Sequence, residues 1–267
     1  MGQARRLIAA LLLSVLLEAA PPAFAATFRG FVRTVFDGDT IEVVLDGGAV
    51  EKVRYLLIDT PEMHHPRRGS EEFGIEAGLA NRELVLGRRV RLETDVQPRD
   101  RYGRLLAFVW LDRPGGPVMV NERLVEEGFA LPFTVPPNVR HADRIHAALL
   151  KARNERRGFW NAASGRVFTP RQVWADLPLL AGAFVTLDMK VERVSRSGKR
   201  WILSEKKSRT RITVYDDRPG LFGSITALEG KRLRVVGKVQ ASYNGAELLL
   251  VDPVQVLSIT PLPPEGP

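Results

Sequence analysis

The sequence contains no cysteine. This absence excludes disulfides, cysteine catalysis, and the zinc and iron–sulfur sites that cysteine builds, so burial of a core must hold the folded chain together. The sequence also lacks any apolar run of the roughly 20 residues that a membrane-spanning helix needs. We therefore expect no stable membrane anchor.

The N-terminus has the features of a secretory signal peptide. Two arginines precede an apolar run at residues 7–17, and Ala23 and Ala25 then provide the small residues that a signal peptidase recognises. We predict that residues 1–25 are cleaved and that the mature protein is periplasmic or extracellular.

The chain is basic. Lysine and arginine total 39 against 31 aspartates and glutamates, a formal net charge of +8, and loss of two arginines and one glutamate with the signal peptide leaves about +7. Such a charge attracts polyanions over a long range, which favours nucleic acid or an anionic surface as the partner.

The first half of the mature chain predicts a small barrel with helices. Runs rich in Val, Ile and Leu, broken by Gly and Asp, predict three strands in "FRGFVRTVFDGDTIEVVLDGGAVEKVRYLLIDT". Helical spacing from near Ser70 predicts one helix, two strands then flank "QPRDRYG", and two helices follow in "VNERLVEEGFA" and "HADRIHAALLKARNERRGFW". We assign residues 26–164 to this domain.

The second half predicts another barrel. Residues 165–180 contain two prolines and lose clear periodicity, so we predict a linker there. Residues 181–258 again have the order three strands, helix, two strands, and residues 259–267 form a Pro-rich tail. The predicted fold class is therefore α+β: an OB-fold-like five-stranded Greek-key barrel with three helices, followed by a second, smaller OB-like β-barrel.

Three acidic residues near strand ends form the first part of a candidate site. Asp39 precedes the second strand, and Asp59 and Glu62 lie at the end of the third. In a curled sheet these positions lie close together. Carboxylates there, with the backbone carbonyl of Thr60, would give a hard oxygen site suited to Ca²⁺. We therefore predict that Asp39, Asp59 and Thr60 are metal ligands.

Two arginines could supply the phosphate-binding part. Arg54 lies on the same strand as Asp59, and Arg104 follows the turn "DRYG". The planar fork of arginine holds two phosphate oxygens at once. Beside a divalent cation, two arginines would lower the barrier to phosphodiester hydrolysis, and Glu62 could orient or deprotonate the attacking water. Taken singly these motifs are weak, because "DGDT" and "DRYGR" are also ordinary turn sequences.

The ordered combination of motifs resembles a known family. Six motifs follow one another along the chain: "DGDT" (37–40), "RYLLIDTPE" (54–62), "HPRRG" (65–69), "DRYGR" (100–104), "VNERLVEEG" (120–128) and "GFW" (158–160). In their order and near-family spacing they resemble the staphylococcal-nuclease-like (thermonuclease) family, over about residues 28–160. The resemblance implies Ca²⁺ bound by Asp39, Asp59 and the Thr60 carbonyl. It implies that Glu62 orients or deprotonates the attacking water and that Arg54 and Arg104 bind the phosphate. It further implies hydrolysis of DNA and RNA without sequence preference, with the 5′-oxygen leaving and a 3′-phosphate end remaining.

Four further residues are expected to bind the substrate. Arg67 and Arg68 lie in the loop after Glu62, where the resembled family usually carries lysines, and the other two are Arg101 and Phe133. Where that family has two tyrosines lining the nucleotide pocket, this chain has Phe133 and Val135. Stacking of a base on an aromatic ring is worth ~1–3 kcal/mol, so we expect weaker mononucleotide binding. 

Zinc is not expected in the same loop. His64 and His65 are adjacent, and adjacent histidines on a loop cannot easily bind one ion together. We interpret them as solvated loop residues.

The second barrel leaves two interpretations open. Trp201, Tyr215 and Tyr243 lie among many basic residues, a mixture that suits single-strand binding by stacking and charge. Aromatic residues in a small barrel can equally be core, and the role is then structural. For the whole chain, the alternatives to a nuclease are a non-catalytic nucleic-acid-binding scaffold and an envelope-binding protein. We expect a monomer.

Overall fold

A computed structural model describes residues 26–63, 69–215, 221–243 and 245–262. The predicted signal peptide, residues 1–25, and the loop residues Arg67 and Arg68 lie outside the described residues, as do His64 and His65. Within the described part of the chain, no helix is both long enough and apolar enough to cross a membrane.

The first part of the chain forms a closed barrel with helices. Its elements are β1 (Thr27–Val35), β2 (Thr40–Leu45), β3 (Val50–Tyr55), β4 (Leu57–Asp59), α1 (Gly74–Val85), β5 (Arg89–Glu93), β6 (Leu105–Leu111), β7 (Val118–Met119), α2 (Val120–Glu126), β8 (Leu131–Phe133), α3 (Ala142–Asn154) and α4 (Phe159–Ser164). Strands β3, β2, β1, β5 and β6 pair antiparallel in that order, and a parallel β3–β6 pairing closes the ring. The predicted five-stranded barrel is confirmed.

Alternating side chains explain why these segments form a barrel. On β2, Ile41 and Val43 are fully buried, whereas Glu42 between them forms an ion pair of 2.7 Å with Arg33 of β1. Successive side chains of a strand point to opposite faces, so one face of β2 fills the barrel interior and the other meets water.

The first barrel differs from its prediction in its third strand and in one helix. The segment predicted as the third strand, which carries both Arg54 and Asp59, is divided into β3 and β4, and β4 pairs with β8 in a separate two-stranded sheet. A single helix was expected across residues 141–160, but α3 ends at Asn154 and α4 begins at Phe159. Gly158 lies between them with a φ of 51°, outside the right-handed helical region. The structure therefore has four helices in residues 26–63 and 69–164 where three were predicted.

The second part of the chain forms another closed barrel. Its elements are β9 (Val167–Phe168), α5 (Pro170–Ala175), α6 (Leu177–Leu180), β10 (Phe184–Val191), β11 (Arg193–Ser197), β12 (Arg200–Ser204), β13 (Thr210–Tyr215), a 3₁₀ turn (Ile225–Leu228), β14 (Lys231–Ser242), β15 (Gly245–Leu250), a second 3₁₀ turn (Pro253–Gln255) and β16 (Val256–Pro261).

The pairing of these strands repeats that of the first barrel. Strands β10 and β11 are two segments of one bent strand: β10 pairs with β14 and β11 with β12. Strands β13 and β15 pair in parallel, as β3 and β6 do. The predicted second OB-like barrel is therefore confirmed.

The predicted linker and tail need correction. Residues 165–180 are folded: β9 pairs with β10, and Val173 of α5 is fully buried in the second core. Pro170 occupies the first turn of α5, where proline is favoured, so it marks a helix start and not a linker. Strand β16 likewise extends to Pro261, inside the predicted tail at 259–267, and pairs with β14.

The two barrels pack against each other. The ring of Phe184, on β10, stacks on Phe159 of α4 with 4.4 Å between centroids. Arg153 of α3 donates a hydrogen bond of 2.9 Å to the carbonyl of Val254. On the outer face of β10, the Thr186 hydroxyl donates to the carbonyl of Ala163 at 2.9 Å. Both faces of β10 are therefore buried, although its alternating sequence predicts one buried face.

Candidate active site

A polar cavity of about 190 Å³ lies where β2 begins and β3 and β4 end. It is lined by Asp37, Asp39, Thr40, Arg54, Asp59, Thr60, Glu62 and Arg104. The structure thus brings together all six residues that the sequence assigns to catalysis and metal binding.

Strand register explains this convergence. Thr40 pairs with Arg54 across β2 and β3, and the Tyr55 N–H donates to the carbonyl of Asp39 at 2.8 Å. The parallel pairing of β3 with β6 places Val53 opposite Leu105. Arg104, which immediately precedes β6, therefore lies next to the end of β3.

Arg54 is held in one orientation by its surroundings. Its side chain is 12 % exposed, and it forms ion pairs with Asp39 at 3.1 Å and Asp59 at 2.7 Å. The same guanidinium donates hydrogen bonds to the carbonyls of Tyr55 at 3.0 Å and Ile58 at 2.8 Å. A guanidinium fixed in this way presents its charge at one point of the cavity without a loss of side-chain entropy on binding.

Asp39 is buried, and both of its carboxylate oxygens accept hydrogen bonds. One carboxylate oxygen accepts from the backbone N–H and the hydroxyl of Thr60, at 2.9 and 3.0 Å. The other accepts from the hydroxyl of Thr40 at 3.1 Å. These bonds tie the start of β2 to the segment that follows β4, so Asp39 and Thr60 have a fixed relative position.

The cavity carries more acidic than basic groups. Burial, and then the charge of Asp39, raise the pKa of Asp37 to about 6. The pKa of Asp59 is also raised, because burial outweighs the attraction of Arg54. The Asp59 side chain is 51 % exposed, so water at the cavity mouth screens part of this effect. Four carboxylates and two guanidiniums line the cavity, an imbalance that a bound cation would offset.

The donor set fits a hard cation. Asp39, Asp59 and the Thr60 carbonyl offer oxygen ligands, which Ca²⁺ prefers. Among the described residues, no three His, Asp or Glu side chains gather as a ready-made metal cluster. Two carboxylates and one carbonyl would therefore be completed by water, as calcium coordination permits.

Glu62 is positioned by the segment that leads into α1. Its backbone N–H donates to the carboxylate of Glu71 at 3.0 Å, and its carbonyl accepts from the Glu71 N–H at 2.8 Å. A Cβ on Gly74, the first residue of α1, would lie 2.5 Å from the Glu62 carbonyl oxygen. Glycine at this position thus permits α1 to begin against the Glu62 backbone.

The second barrel contributes to the same segment. Lys238 of β14 forms an ion pair of 2.5 Å with Glu71, and the two side chains are 13 % and 10 % exposed. Glu72 accepts from the N–H of Phe184 at 2.7 Å and pairs with Arg166. The backbone that carries Glu62 is therefore anchored by residues of both barrels.

A larger cavity of about 460 Å³ adjoins the polar one, and Arg54 and Arg104 line both. Its other walls include Arg101 and Phe133, two of the residues expected to bind substrate. Pairing of β4 with β8 places Leu57 opposite Phe133, whose side chain is 47 % exposed. Arg101 and Phe133 are thus brought together, whereas Arg67 and Arg68 lie outside the described residues.

Three residues at the site escape the sequence interpretation. Asp37 and Tyr102 belong to "DGDT" and "DRYGR", which are also ordinary turn sequences, and both residues line the cavities. Tyr102 is 68 % exposed and its hydroxyl accepts from Arg101 at 2.6 Å. Lys238 carries no motif at all.

Comparisons with known proteins agree with this geometry. A family model described as staphylococcal nuclease homologue matches residues 52–162. The chain is similar to thermonuclease of Staphylococcus hyicus, with 39% identity over 130 residues that cover 49% of this chain and 74% of that protein. Thermonuclease of Staphylococcus intermedius is 38% identical over 129 residues, 48% of this chain and 74% of that protein. Endonuclease YncB of Bacillus subtilis (strain 168) is 37% identical over 127 residues, 47% of this chain and 58% of that protein.

Proposed function

Because this chain belongs to the staphylococcal nuclease family, we propose that this nuclease is Ca²⁺-dependent and cleaves DNA and RNA without sequence preference, leaving 3′-phosphate ends. The observation that carries the proposal is the convergence of Arg54, Arg104, Asp39, Asp59 and Glu62 on one polar cavity. Positive charge and planar donors bind a phosphate, and the cavity provides two guanidiniums.

The proposed metal ligands are Asp39, Asp59 and the carbonyl of Thr60. When bound there, Ca²⁺ supplies positive charge that polarises a phosphoryl oxygen and neutralises charge in the transition state. The excess of carboxylates over guanidiniums in the cavity lining supports this assignment.

The remaining steps belong to the side chains. Arg54 and Arg104 bind the non-bridging phosphate oxygens, on which negative charge grows in the transition state. Glu62 orients the attacking water and accepts its proton as the water oxygen bonds to phosphorus. The bond from phosphorus to the 5′-oxygen breaks, and the leaving oxygen takes a proton from solvent. The products are a 3′-phosphate and a 5′-hydroxyl.

Substrate selection is proposed to rest on the phosphate backbone and on stacking. Arg101 and Phe133 line the larger cavity, where they suit a phosphate and a base. Arg67 and Arg68 are proposed to add sequence-independent attraction. Because Phe133 offers a ring without a hydroxyl, mononucleotides are expected to bind more weakly than at a pair of tyrosines.

The cellular context is also a proposal. The basic and apolar pattern of residues 1–25 supports export to the periplasm or beyond the cell. We propose that the exported protein acts as a monomer without a stable membrane anchor, which light scattering of the purified protein would check.

The experiment that tests the function uses the purified protein with single-stranded DNA and with RNA. Release of acid-soluble nucleotides is measured in Ca²⁺ and in chelator, and product ends are tested for extension by a polymerase before and after phosphatase. We expect cleavage in Ca²⁺ and none in chelator. We expect the polymerase to extend the product ends only after phosphatase treatment. Nucleic acid that is bound but stays whole would instead support the non-catalytic scaffold. Absence of both cleavage and binding would support the envelope-binding alternative.

A further inference from the structure

The second barrel forms one wall of a cavity beside the proposed active site. This cavity has a volume of about 270 Å³ and lies between Phe133 and Val135 of the first barrel and Tyr215, Leu249 and Val251 of the second. Its lining is mostly apolar and aromatic, in contrast to the acidic cavity that holds Asp39 and Asp59. We call it the inter-barrel cavity.

The inter-barrel cavity adjoins the proposed active site. Phe133 and Val135 also line the 460 Å³ cavity, which shares Arg54 and Arg104 with the polar cavity. Phe133 is 47 % exposed, Val135 53 % and Tyr215 41 %. A nucleic-acid strand whose phosphate contacts the two arginines can therefore continue past Phe133 onto the second barrel, along residues that line these cavities.

The residues on the second-barrel side suit a nucleobase. Arg200 of β12 pairs directly with Tyr215 of β13 in the strand register. Its guanidinium lies 5.9 Å from the centre of the tyrosine ring. An exposed aromatic ring next to an arginine is the arrangement that binds single strands through base stacking and phosphate contact. Strands β12 and β13 are the second and third strands of this barrel, the face that OB folds use for oligonucleotides.

The other aromatic residues of this barrel serve as a contrast. Trp201 packs against the second core. Tyr243 is fully exposed and does not line the cavity. Of Trp201, Tyr215 and Tyr243, it is therefore Tyr215 whose exposed ring lines the inter-barrel cavity and can contact a base there.

We propose that the inter-barrel cavity is a subsite for a base of the single-stranded substrate, beyond the nucleotides that flank the cleaved phosphate. This inference rests on the proposed function and adds a substrate class to it: the second barrel makes the enzyme favour longer single strands. The stacking surfaces are Phe133 and Tyr215, with Arg200 beside the second ring.

The test compares Tyr215→Ala with Tyr243→Ala, the matched control. Substrates are oligothymidylates of about 3 and about 16 nucleotides, because an OB fold covers roughly 4–16 nucleotides. One lost stacking contact of ~1–3 kcal/mol corresponds to about a 5- to 150-fold change. We expect Tyr215→Ala to raise KM by that factor for the long substrate and to leave KM for the short one unchanged. Tyr243→Ala should change neither.

The proposal fails if Tyr215→Ala leaves KM for the long substrate unchanged or raises both KM values equally. The cavity would then serve another ligand or the docking of the barrels. The wild-type protein is assayed in parallel, so a failure of the proposed function itself appears as absence of cleavage of either substrate.

A second measurement needs no variant and so does not depend on the variant folding. The wild-type protein is photocrosslinked, in chelator, to a long oligonucleotide that carries iodouracil, and the modified peptides are identified by mass spectrometry. We expect an adduct on Tyr215. Adducts on Phe133 or elsewhere without one on Tyr215 would overturn the proposal, because Phe133 also lines the proposed active site.

Discussion

Replacing Lys238 with methionine should destabilise the whole protein. The lysine and Glu71 form an ion pair of 2.5 Å in which both side chains are almost buried, 13 % and 10 % exposed. Removing one partner of a buried pair leaves the other charge without compensation, at a cost of about 3–5 kcal/mol. Glu71 keeps its hydrogen bond from the Glu62 N–H, so the lower end of this range is expected. For a chain of this size, that is a fall in Tm of about 6–12 °C.

The assay is thermal and urea unfolding followed by circular dichroism. Because Phe184, Val236 and Val254 of the second barrel belong to the first core, we expect one transition. The double variant Lys238→Met/Glu71→Met should be less destabilised than the sum of the single variants, with a coupling energy of about 1–3 kcal/mol. Lys190→Met changes an exposed lysine of the same domain and should stay within about 0.5 kcal/mol of wild type.

Additive effects of the two substitutions would contradict a coupled Lys238–Glu71 pair. If Lys238→Met behaves like Lys190→Met and the double variant shows no coupling, the second barrel does not dock on the Glu62 segment as described.

Three further outcomes are expected from the geometry. Gly74→Ala should lower kcat at least 10-fold with little change in KM, because the added Cβ would lie 2.5 Å from the Glu62 carbonyl oxygen and displace that residue. The control is Gly165→Ala, where a Cβ meets nothing within 4 Å. Equal kcat values for the two variants would contradict the role of Gly74. Phe133→Ala should weaken binding of a nucleoside bisphosphate about 5- to 150-fold by calorimetry, as loss of one stacking surface predicts, and an unchanged Kd would remove Phe133 from the pocket. Burial raises the pKa of Asp188, but hydrogen bonds from two arginines of β14 outweigh it and hold this pKa below its ordinary value. The contribution of Asp188 to stability should therefore be complete above its unfolded pKa of about 3.9 and disappear as pH falls through the lower folded value. Urea unfolding between about pH 2 and 6 should show that the free energy of unfolding falls less steeply toward acid pH in Asp188→Asn than in wild type. Parallel falls in the two proteins would contradict the lowered pKa of Asp188.

Much of the site follows from the sequence because strand register places it. Asp39 and Arg54 lie at the ends of apolar segments, and the pairing of β2 with β3 brings them together. Asp59 ends the apolar run that follows Arg54, and its carboxylate pairs with the same guanidinium at 2.7 Å. The chemistry of carboxylates and arginines at those ends then indicates a metal and a phosphate.

What the sequence does not predict depends on contacts between distant segments. Lys238 and Glu71 are 167 residues apart and neither carries a motif, so nothing local pairs them. Thr186 lies on the polar face of an alternating strand, yet that face is covered by α4 of the other barrel. A proline in a stretch without clear periodicity predicts a linker, whereas Pro170 lies in the first turn of a helix, where proline is favoured.

Arg54 is proposed to act as a fixed fork on the phosphate, and the variant Arg54→Lys tests this role. The initial rate of single-stranded DNA cleavage in Ca²⁺ is compared among wild type, Arg54→Lys and Arg89→Lys. Arg89 is an exposed arginine of β5 that pairs with Asp46, away from the cavity. Lysine keeps the charge but loses the planar fork. We predict that kcat falls by ~10²–10³ in Arg54→Lys, as for loss of one oxyanion donor, and stays unchanged in Arg89→Lys. A rate for Arg54→Lys within about threefold of wild type, which is less than ~1 kcal/mol of barrier, would contradict the assignment of the active site.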